Sequence, residues 1–392
     1  MKKACLISFL ACVVIMVAVA FGWDPAHAIA GLPLLGFAFG TITTDLYSPI
    51  TMLEPLEIRK APKTVFKDMF FSGQPDMFHD TQEVLVDKLR QGEEVAVYCA
   101  PTHDGKAVDR EGYMTNKVKA AYVKPFRPLT FQDLIPRDAG EVLMLPQNAV
   151  GRLQAKAARL LGRDMVQLDD LIIRREEAMC AEVLETGQIH VVGEGVDFVV
   201  DFLMPAANKG TLVGDALFTS AYCDPYTWLY GLFRGMIVRG WRTPKKMFLG
   251  GNVIDPFITN PNVKDRLSTQ RAIDSGRINP QELPDGTTYQ GTINVNGYQI
   301  DVYGYDASYT EAGVRKYIMP QDKIIIGPGE TTNHMCYGAI QHLKAAELGL
   351  VEKKRFPNTY TNQSGSIRYL QIESSPLPNH RESDNFACFK VI

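Results

Sequence analysis

The longest regular run of hydrophobic and polar positions in this chain lies between Asp164 and Thr186. It reads DMVQLDDLIIRREEAMCAEVLET and is followed at once by Gly187. Met165, Leu168, Ile172, Met179 and Val183 form one helical stripe, and Arg175 fills the gap in it. Asp164 suits the N-cap, and Gly187 suits the left-handed residue that ends a helix. At about 1.5 Å per residue the rod is roughly 35 Å long. The other face carries Asp169, Asp170, Arg174, Glu177 and Glu185, and is expected to meet water or a neighbour. A long amphipathic helix that runs into strands reads as a scaffold, and nothing on it reads as an active site.

Period-two patterns follow the helix in GQIHVVGEG and DFVVDFLMP. Val84 and Val86 alternate with polar neighbours, as do Val95 and Val97, which predicts strands there. INVNGYQIDVYGY is the clearest hairpin: Asn296-Gly297 suits a type I′ turn, with Ile293, Val295, Ile300 and Val302 flanking it. KKMFLGG and DKIIIGPGE read as buried strands, and the tail SIRYLQIESSPLPNHRESDNFACFKVI predicts two more. Residues 146–162 are helix-rich and lead into the long helix. A second helix is expected over 224–239, a Pro-broken helical stretch in NVIDPFITNPNVKDRL, and a further helix over 335–348. Helices and strands interleave without a βαβ rhythm, which favours an α+β fold over a doubly wound sheet.

Two segments lack the apolar content for a core of their own. From Thr43, TTDLYSPITMLEPLEIRKAPKTVFKDMFF carries Pro49, Pro55 and Pro62 and reads as an extended arm. One short helix is expected in it, around 50–59, and Phe70-Phe71 anchor its far end. CAPTHDGKAVDREGYMTNKVKAAYVKPFRPL contains two turn signals, Asp104-Gly105 and Glu111-Gly112, and three lysines, Lys117, Lys119 and Lys124. A disordered loop and a projecting hairpin both fit it, and the alternating VKAAYV favours the hairpin.

The chain has 392 residues, room for two or three compact regions, and a formal charge of -3, which argues against a dedicated nucleic-acid binder. Its seven cysteines are scattered without a CxxC pair, as free thiols in a reducing compartment would be. The N-terminus points elsewhere. Lys2 and Lys3 precede an uncharged run from Ala4 to Trp23, and Ala26-His27-Ala28 resembles an export cleavage site. A signal peptide, a membrane span and a start placed too far upstream are the three readings of this leader.

Candidate chemistry is sparse. In GPGETTNH, Glu330 and His334 are four apart and His342 follows, so the three could share a helical face as metal ligands do. No adjacent base completes an HExxH motif, and a turn with a helix start explains the segment equally well. Gly250-Gly251-Asn252 reads as a strand-to-helix turn rather than a phosphate loop. No GxSxG elbow occurs. The sequence therefore predicts no catalytic residue, no metal and no cofactor. An exported hydrolase is the enzyme-class alternative if the leader is genuine.

The chain resembles the major capsid protein E family of tailed bacteriophages, the lambda-type subunits of the Hong Kong 97-type fold. The carrying residues are LYSPITMLEPLEIRKAPKTVFKDMFF, AAYVKPFRPLTFQDLIPR, RREEAMCAEVLETGQIHV, VNGYQIDVYGYDASYTEAGVRKYIMPQDKIIIG and KKRFPNTYTNQSGSIRYLQIESSPLPN, in that order. The resemblance implies a structural head protein that encloses double-stranded DNA, with no catalytic residues. A nanocompartment shell of the same fold is the binding-class alternative. The chain departs from the family over the apolar leader 1–42, signal-like or a start-site artefact, and the resemblance implies an N-arm over 43–72 and a peripheral domain starting at 73–92. An E-loop then spans 93–128, and the peripheral domain resumes over 129–211 with its spine helix at 164–186. An axial domain spans 212–345, and peripheral strands return over 346–392. In the E-loop, Tyr113, Lys117, Lys119, Tyr122 and Lys124 are the expected inter-subunit contacts, with the lysines facing a neighbour's Asp169 and Asp170. Implied partners are further copies in hexamers and pentamers, a scaffold, a portal, a head-decoration protein and the packaged DNA, with no membrane in the mature particle. Implied localisation is the virion after assembly in the host cytoplasm. Export would separate the subunit from these partners, so an upstream start or a nonessential leader fits the resemblance better.

Overall fold

The long helix of this computed structural model runs from Ala149 to Thr186, 38 residues, or about 57 Å. The described residues are 47–50, 52–53, 64–89, 113–134, 149–193, 195–268, 276–283, 286–311 and 313–392. Residues 52–392 form one compact unit; 1–51 form another, of which 47–50 are described.

In chain order the helices are α1 Val65–Phe70, α2 Phe131–Leu134, α3 Ala149–Thr186, α4 Pro225–Arg239, α5 Gly251–Thr259, α6 Pro261–Ser268 and α7 Leu343–Glu347. The first strands are β1 Met77–Phe78, β2 Glu83–Leu89, β3 Tyr113–Lys119, β4 Phe126–Thr130, β5 Gln188–Gly193, β6 Val196–Asp201, β7 Lys209–Thr211 and β8 Pro244–Leu249. They continue as β9 Gly276–Leu283, β10 Thr287–Val295, β11 Tyr298–Tyr305, β12 Ser308–Glu311, β13 Val314–Tyr317 and β14 Lys323–Pro328. The last are β15 His334–Tyr337, β16 Phe356–Thr361, β17 Ile367–Glu373, β18 Pro376–Asn379 and β19 Ala387–Lys390.

A mixed seven-stranded sheet, β7-β19-β14-β8-β11-β10-β9, divides the core in two. Side chains alternate along its strands. Phe248, Ile325 and Cys388 face one cluster with Phe66 and Phe70 of α1 and Met179, Val183 and Leu184 of α3. Met247, Leu249, Ile324, Ile326 and Ala387 face the other, with Leu229, Phe233 and Met236 of α4 and Val253 and Phe257 of α5. The α1 rings meet the sheet edge-on: Phe66 lies 5.0 Å and Phe70 5.6 Å from Phe248 of β8. Burying one such ring contributes about 1.5–3 kcal/mol.

Local chemistry sets several boundaries. Asn296 and Gly297 have φ of 49° and 99°, as a I′ turn between β10 and β11 requires. Asp224 accepts from the Tyr226 amide and caps α4. Gly187 ends α3 at φ 73°, and a Cβ there would sit 2.3 Å from that of Met204. Both the conformation and the space therefore call for glycine.

Four expectations change. The long helix begins at Ala149, and Asp164 lies inside it, paired with Arg127 at 2.7 Å, not at its N-cap. The helix expected over 335–348 is β15 followed by the five-residue α7. All four residues of β15 are buried, and a short apolar run of this kind does not distinguish strand from helix. The tail gives three strands instead of two, because Pro376 and Pro378 lie in β18, an outer strand that tolerates them. Glu177 and Asp169, read as a solvent-facing surface, are buried. Expected strands at 95 and 97 and most of the short helix at 50–59 lie outside the described residues.

Candidate functional site

β3, the first described strand of the segment expected to project, pairs antiparallel with β2 as a ribbon, from Glu83↔Lys119 to Leu89↔Tyr113. Its root is fixed to the body. Val84, Ala120 and Ala121 are buried, and the Ala339 amide donates to Thr81 O at 3.0 Å. The Lys88 ammonium donates to Leu203 O at 2.8 Å and pairs with Asp384 at 3.0 Å.

Of the five expected contact residues, Tyr113, Lys117 and Lys119 share β3. Lys117 is 72% exposed and lies 3.9 Å from Glu83, itself 66% exposed. A pair so solvated contributes about 0–1 kcal/mol, which leaves Lys117 available to another partner. Lys119 is exposed opposite Glu83. Tyr122 and Lys124 sit beyond the ribbon, on the body. The Tyr122 hydroxyl donates to Glu373 at 2.5 Å and accepts from the Gln341 amide at 3.0 Å. Burial, then this bond to Glu373, push its pKa up. Lys124 is exposed, its ammonium 4.7 Å from the Tyr122 ring centre. Tyr122 thus has an anchoring role inside its own chain.

Against α1, two consecutive glutamates of α3 hold four chain segments together. Glu177 accepts from the Val65, Phe66 and Lys67 amides at 3.0, 2.7 and 3.0 Å, and from the Tyr305 hydroxyl at 3.2 Å. Those amides are the orphan donors of the first turn of α1, where a carboxylate also complements the helix dipole. Burial pushes the Glu177 pKa up, and the donors oppose it. Glu176 points about 100° further round the helix. It meets Lys67 at 2.5 Å, Arg355 at 2.9 Å and the Tyr337 hydroxyl at 3.2 Å. Burial would raise its pKa, but Arg355, Lys67 and Lys354 together outweigh it and hold it at about 2.

Arg355 also reaches Asp169 at 2.7 Å and Ser374 at 2.9 Å. Asp169 is therefore not available to a neighbour's lysines. The sequence carried a signal for this centre. Position 176 lies four residues after Ile172 and three before Met179, so Glu176, not Arg175, continues the apolar stripe. Arg175 instead reaches outward to Glu311 of β12 at 2.5 Å.

The enzyme-like segments resolve into structural parts. Glu330 lies in a bend, His334 in β15, and His342 caps α7 by accepting from the Lys344 amide at 3.1 Å, so they share no helical face. Among the described residues no group of three or more His, Cys, Asp or Glu is placed to hold a metal. Gly250 and Gly251 make the turn from β8 to α5. A Cβ at Gly250 would lie 2.5 Å from the carbonyl oxygens of Pro320 and Gln321, so close packing accounts for that glycine. Cys180, Cys223, Cys336 and Cys388 are free and buried.

Comparison with known proteins points one way. The sequence model of a family described as phage major capsid protein E matches residues 49–386. The major capsid protein of Enterobacteria phage P21 is 24% identical over 351 residues, covering 84% of this chain and 94% of that one. The major capsid protein of Escherichia phage lambda is 23% identical over 327 residues, covering 79% and 89%. Among solved structures, the putative capsid protein of a prophage of E. coli CFT073 superposes with a TM-score of 0.63 at 16% identity, covering 88% of this chain and 99% of that one.

Proposed function

The chain belongs to the phage major capsid protein E family and is a shell-forming major capsid protein with a structural, non-catalytic role; from that premise we propose that its copies close into an icosahedral head around double-stranded DNA. Its α+β architecture is the Hong Kong 97-type capsid fold. The observation that carries the reading is the family match over 49–386, which takes in the arm root, the long helix and the returning tail.

Within that fold we assign 43–72, which holds α1, as the N-arm, 93–128, which holds β3, as the E-loop, and α3 as the spine helix. The axial domain is assigned to 212–345. Ring-like heterologous contacts between such subunits can close into shells. A scaffold and a portal are the partners such closure calls for, a decoration protein is an optional third, and the host cytoplasm is the place of assembly. A subunit of net charge -3 suits a container that holds DNA without adhering to it. Electron microscopy of the expressed full chain tests the reading. Closed, uniform particles are expected, and a discrete monomer under every assembly condition overturns it.

A further inference from the structure

The three-stranded sheet β16-β17-β4 has one face on the spine helix; the other is covered where α7 and His342 meet Phe356 and Asn358, and open beyond them. Towards α3, Leu370 and Ile372 are buried and Arg127 reaches Asp164 at 2.7 Å. Side chains alternate, so residues of the other parity turn away. There Phe126 of β4, Tyr369 of β17 and Tyr360 of β16 form an unbroken aromatic row. The Phe126 and Tyr369 ring centres are 6.0 Å apart, and Tyr369 stacks on Tyr360 at 5.0 Å. Phe126 is 58% and Tyr360 44% exposed. Aromatic rings left in water across three strands are a feature that binding surfaces use.

We infer that this aromatic row is a contact surface for a second copy of the chain, and the inference rests on the shell-forming reading. Three observations select that occupant. First, the residues between the rings are uncharged: Pro128, Ile367 and Gln371 adjoin them, the one carboxylate of that parity, Glu373, is buried and held by Tyr122 and Gln371, and the exposed Lys124 and Lys344 stand at the margin. Like copies can bring such rings together without charge repulsion between them. Second, a few rings offer at most a few hundred Å², against about 800 Å² per partner in a stable two-body complex. A contact that small suits a subunit that stays soluble alone and is held in a shell by many repeated contacts. Third, sheet extension is disfavoured. Among the described residues β4 is an outer strand, and Pro128 in its middle lacks an amide donor. The copy therefore meets the face of the sheet, not its edge.

The test uses the full chain in three forms: the parent, Phe126→Lys and Tyr360→Glu, with a fourth carrying the photo-crosslinker p-benzoylphenylalanine in place of Tyr360. Both substitutions lie on open surface, so circular dichroism of the unassembled subunit is expected to match the parent. Particle yield by sedimentation is expected to fall at least tenfold in each. Irradiated particles of the fourth form are expected to give an adduct between two copies, absent from the dispersed subunit. Normal particle yield from both substituted chains overturns the inference, as does an adduct with a different protein or none at all. Failure of the parent to form particles under every condition sinks the shell reading instead, and is told apart because the substitutions then change nothing.

Discussion

The Glu177 carboxylate oxygen lies 2.7 Å from the Phe66 backbone nitrogen, across 111 residues of sequence. This contact seats α1, and with it the rings of Phe66 and Phe70, against the central sheet. One oxygen of Glu177 takes the Val65, Phe66 and Tyr305 donors, and the other takes Lys67. Glu177→Gln retains the first oxygen but turns an NH2 group towards the Lys67 amide. Glu177→Ala leaves all these donors unpaired, at about 1–3 kcal/mol for each buried group that finds no water. The alanine variant is expected to lose about 3 kcal/mol or more in urea titration, and the glutamine variant clearly less. Equal stability of all three forms would show that α1 is seated by its aromatic rings alone.

Glu176 and Arg355 make a different prediction, because both are charged and buried. Removing one partner strands the other, which typically costs about 3–5 kcal/mol. Arg355→Met is expected to cost in that range, and adding Glu176→Leu is expected to restore part of the loss. The pH dependence follows from the depressed pKa. Glu176 is held at about 2, below its ordinary value of 4.5. Its stabilising contribution is therefore complete above about pH 4.5 and is lost as pH falls towards 2. Denaturant midpoints of parent and double variant should converge over that window. Parallel pH profiles would mean the ion pair is not linked to stability.

How much of this was legible in the sequence depended on whether the signal was local. Asn296-Gly297, the helix over 224–239 and the strand in KKMFLGG rest on signals within a few residues, and each is legible from them. Phe70 and Phe71 were read as an anchor, and both are buried. What escaped depends on distant partners. Glu177 looks solvent-facing until the amides of α1 are brought to it, and Glu176, though in phase with the apolar stripe, has no charged partner until Lys67 and Arg355 arrive. β18, with two prolines in four residues, is a strand only because β15 lies beside it. The long helix was cut short because Asp164 has cap chemistry, but Arg127 occupies its carboxylate within the helix. The aromatic row left no sequence signal, since its three rings come from strands that meet only in the folded sheet.

His380 carries the pH prediction at milder acidity. It is fully buried among Phe71, Phe202 and Phe386, with one ring nitrogen 3.1 Å from the Asn333 side-chain amide. Burial, followed by the nearby Lys88 ammonium, lowers its pKa to about 3. The folded state therefore keeps the ring neutral while the unfolded chain takes up a proton below about pH 6.5. Stability is full above that value and falls as pH drops towards 3. At pH 5 the expected loss from this one group is about 2 kcal/mol. His380→Leu removes the titration, so its denaturant midpoint should change less than the parent's between pH 7 and 5. His334, whose pKa burial also lowers, is present in both proteins and cancels in the comparison. An unchanged slope in the variant would show that His380 does not titrate against folding.

The β2–β3 ribbon gives the last prediction, because it is tied to the body yet pairs with no third strand among the described residues. The root has buried Val84, Ala120 and Ala121, and the Lys88 ties to Leu203 and Asp384. The described ribbon has two strands, and a lone two-stranded ribbon is marginal in water. Its stability and its use both depend on another surface, which in a shell is a neighbouring subunit. Replacing Tyr113 through Lys119 with a short Gly-Ser link removes β3 and leaves the central sheet, α3 and both glutamate contacts intact. The unassembled subunit is therefore expected to keep near-parent circular dichroism and a slightly lower melting temperature, while closed particles disappear from sedimentation profiles. Lys88→Met separates the two roles further. It keeps the ribbon but loosens its root, so weaker particles are expected instead of none, with faster loss on dilution or heating. Durable particles from the Gly-Ser protein would make the ribbon a passive surface loop, and a subunit that unfolds would make it part of the core.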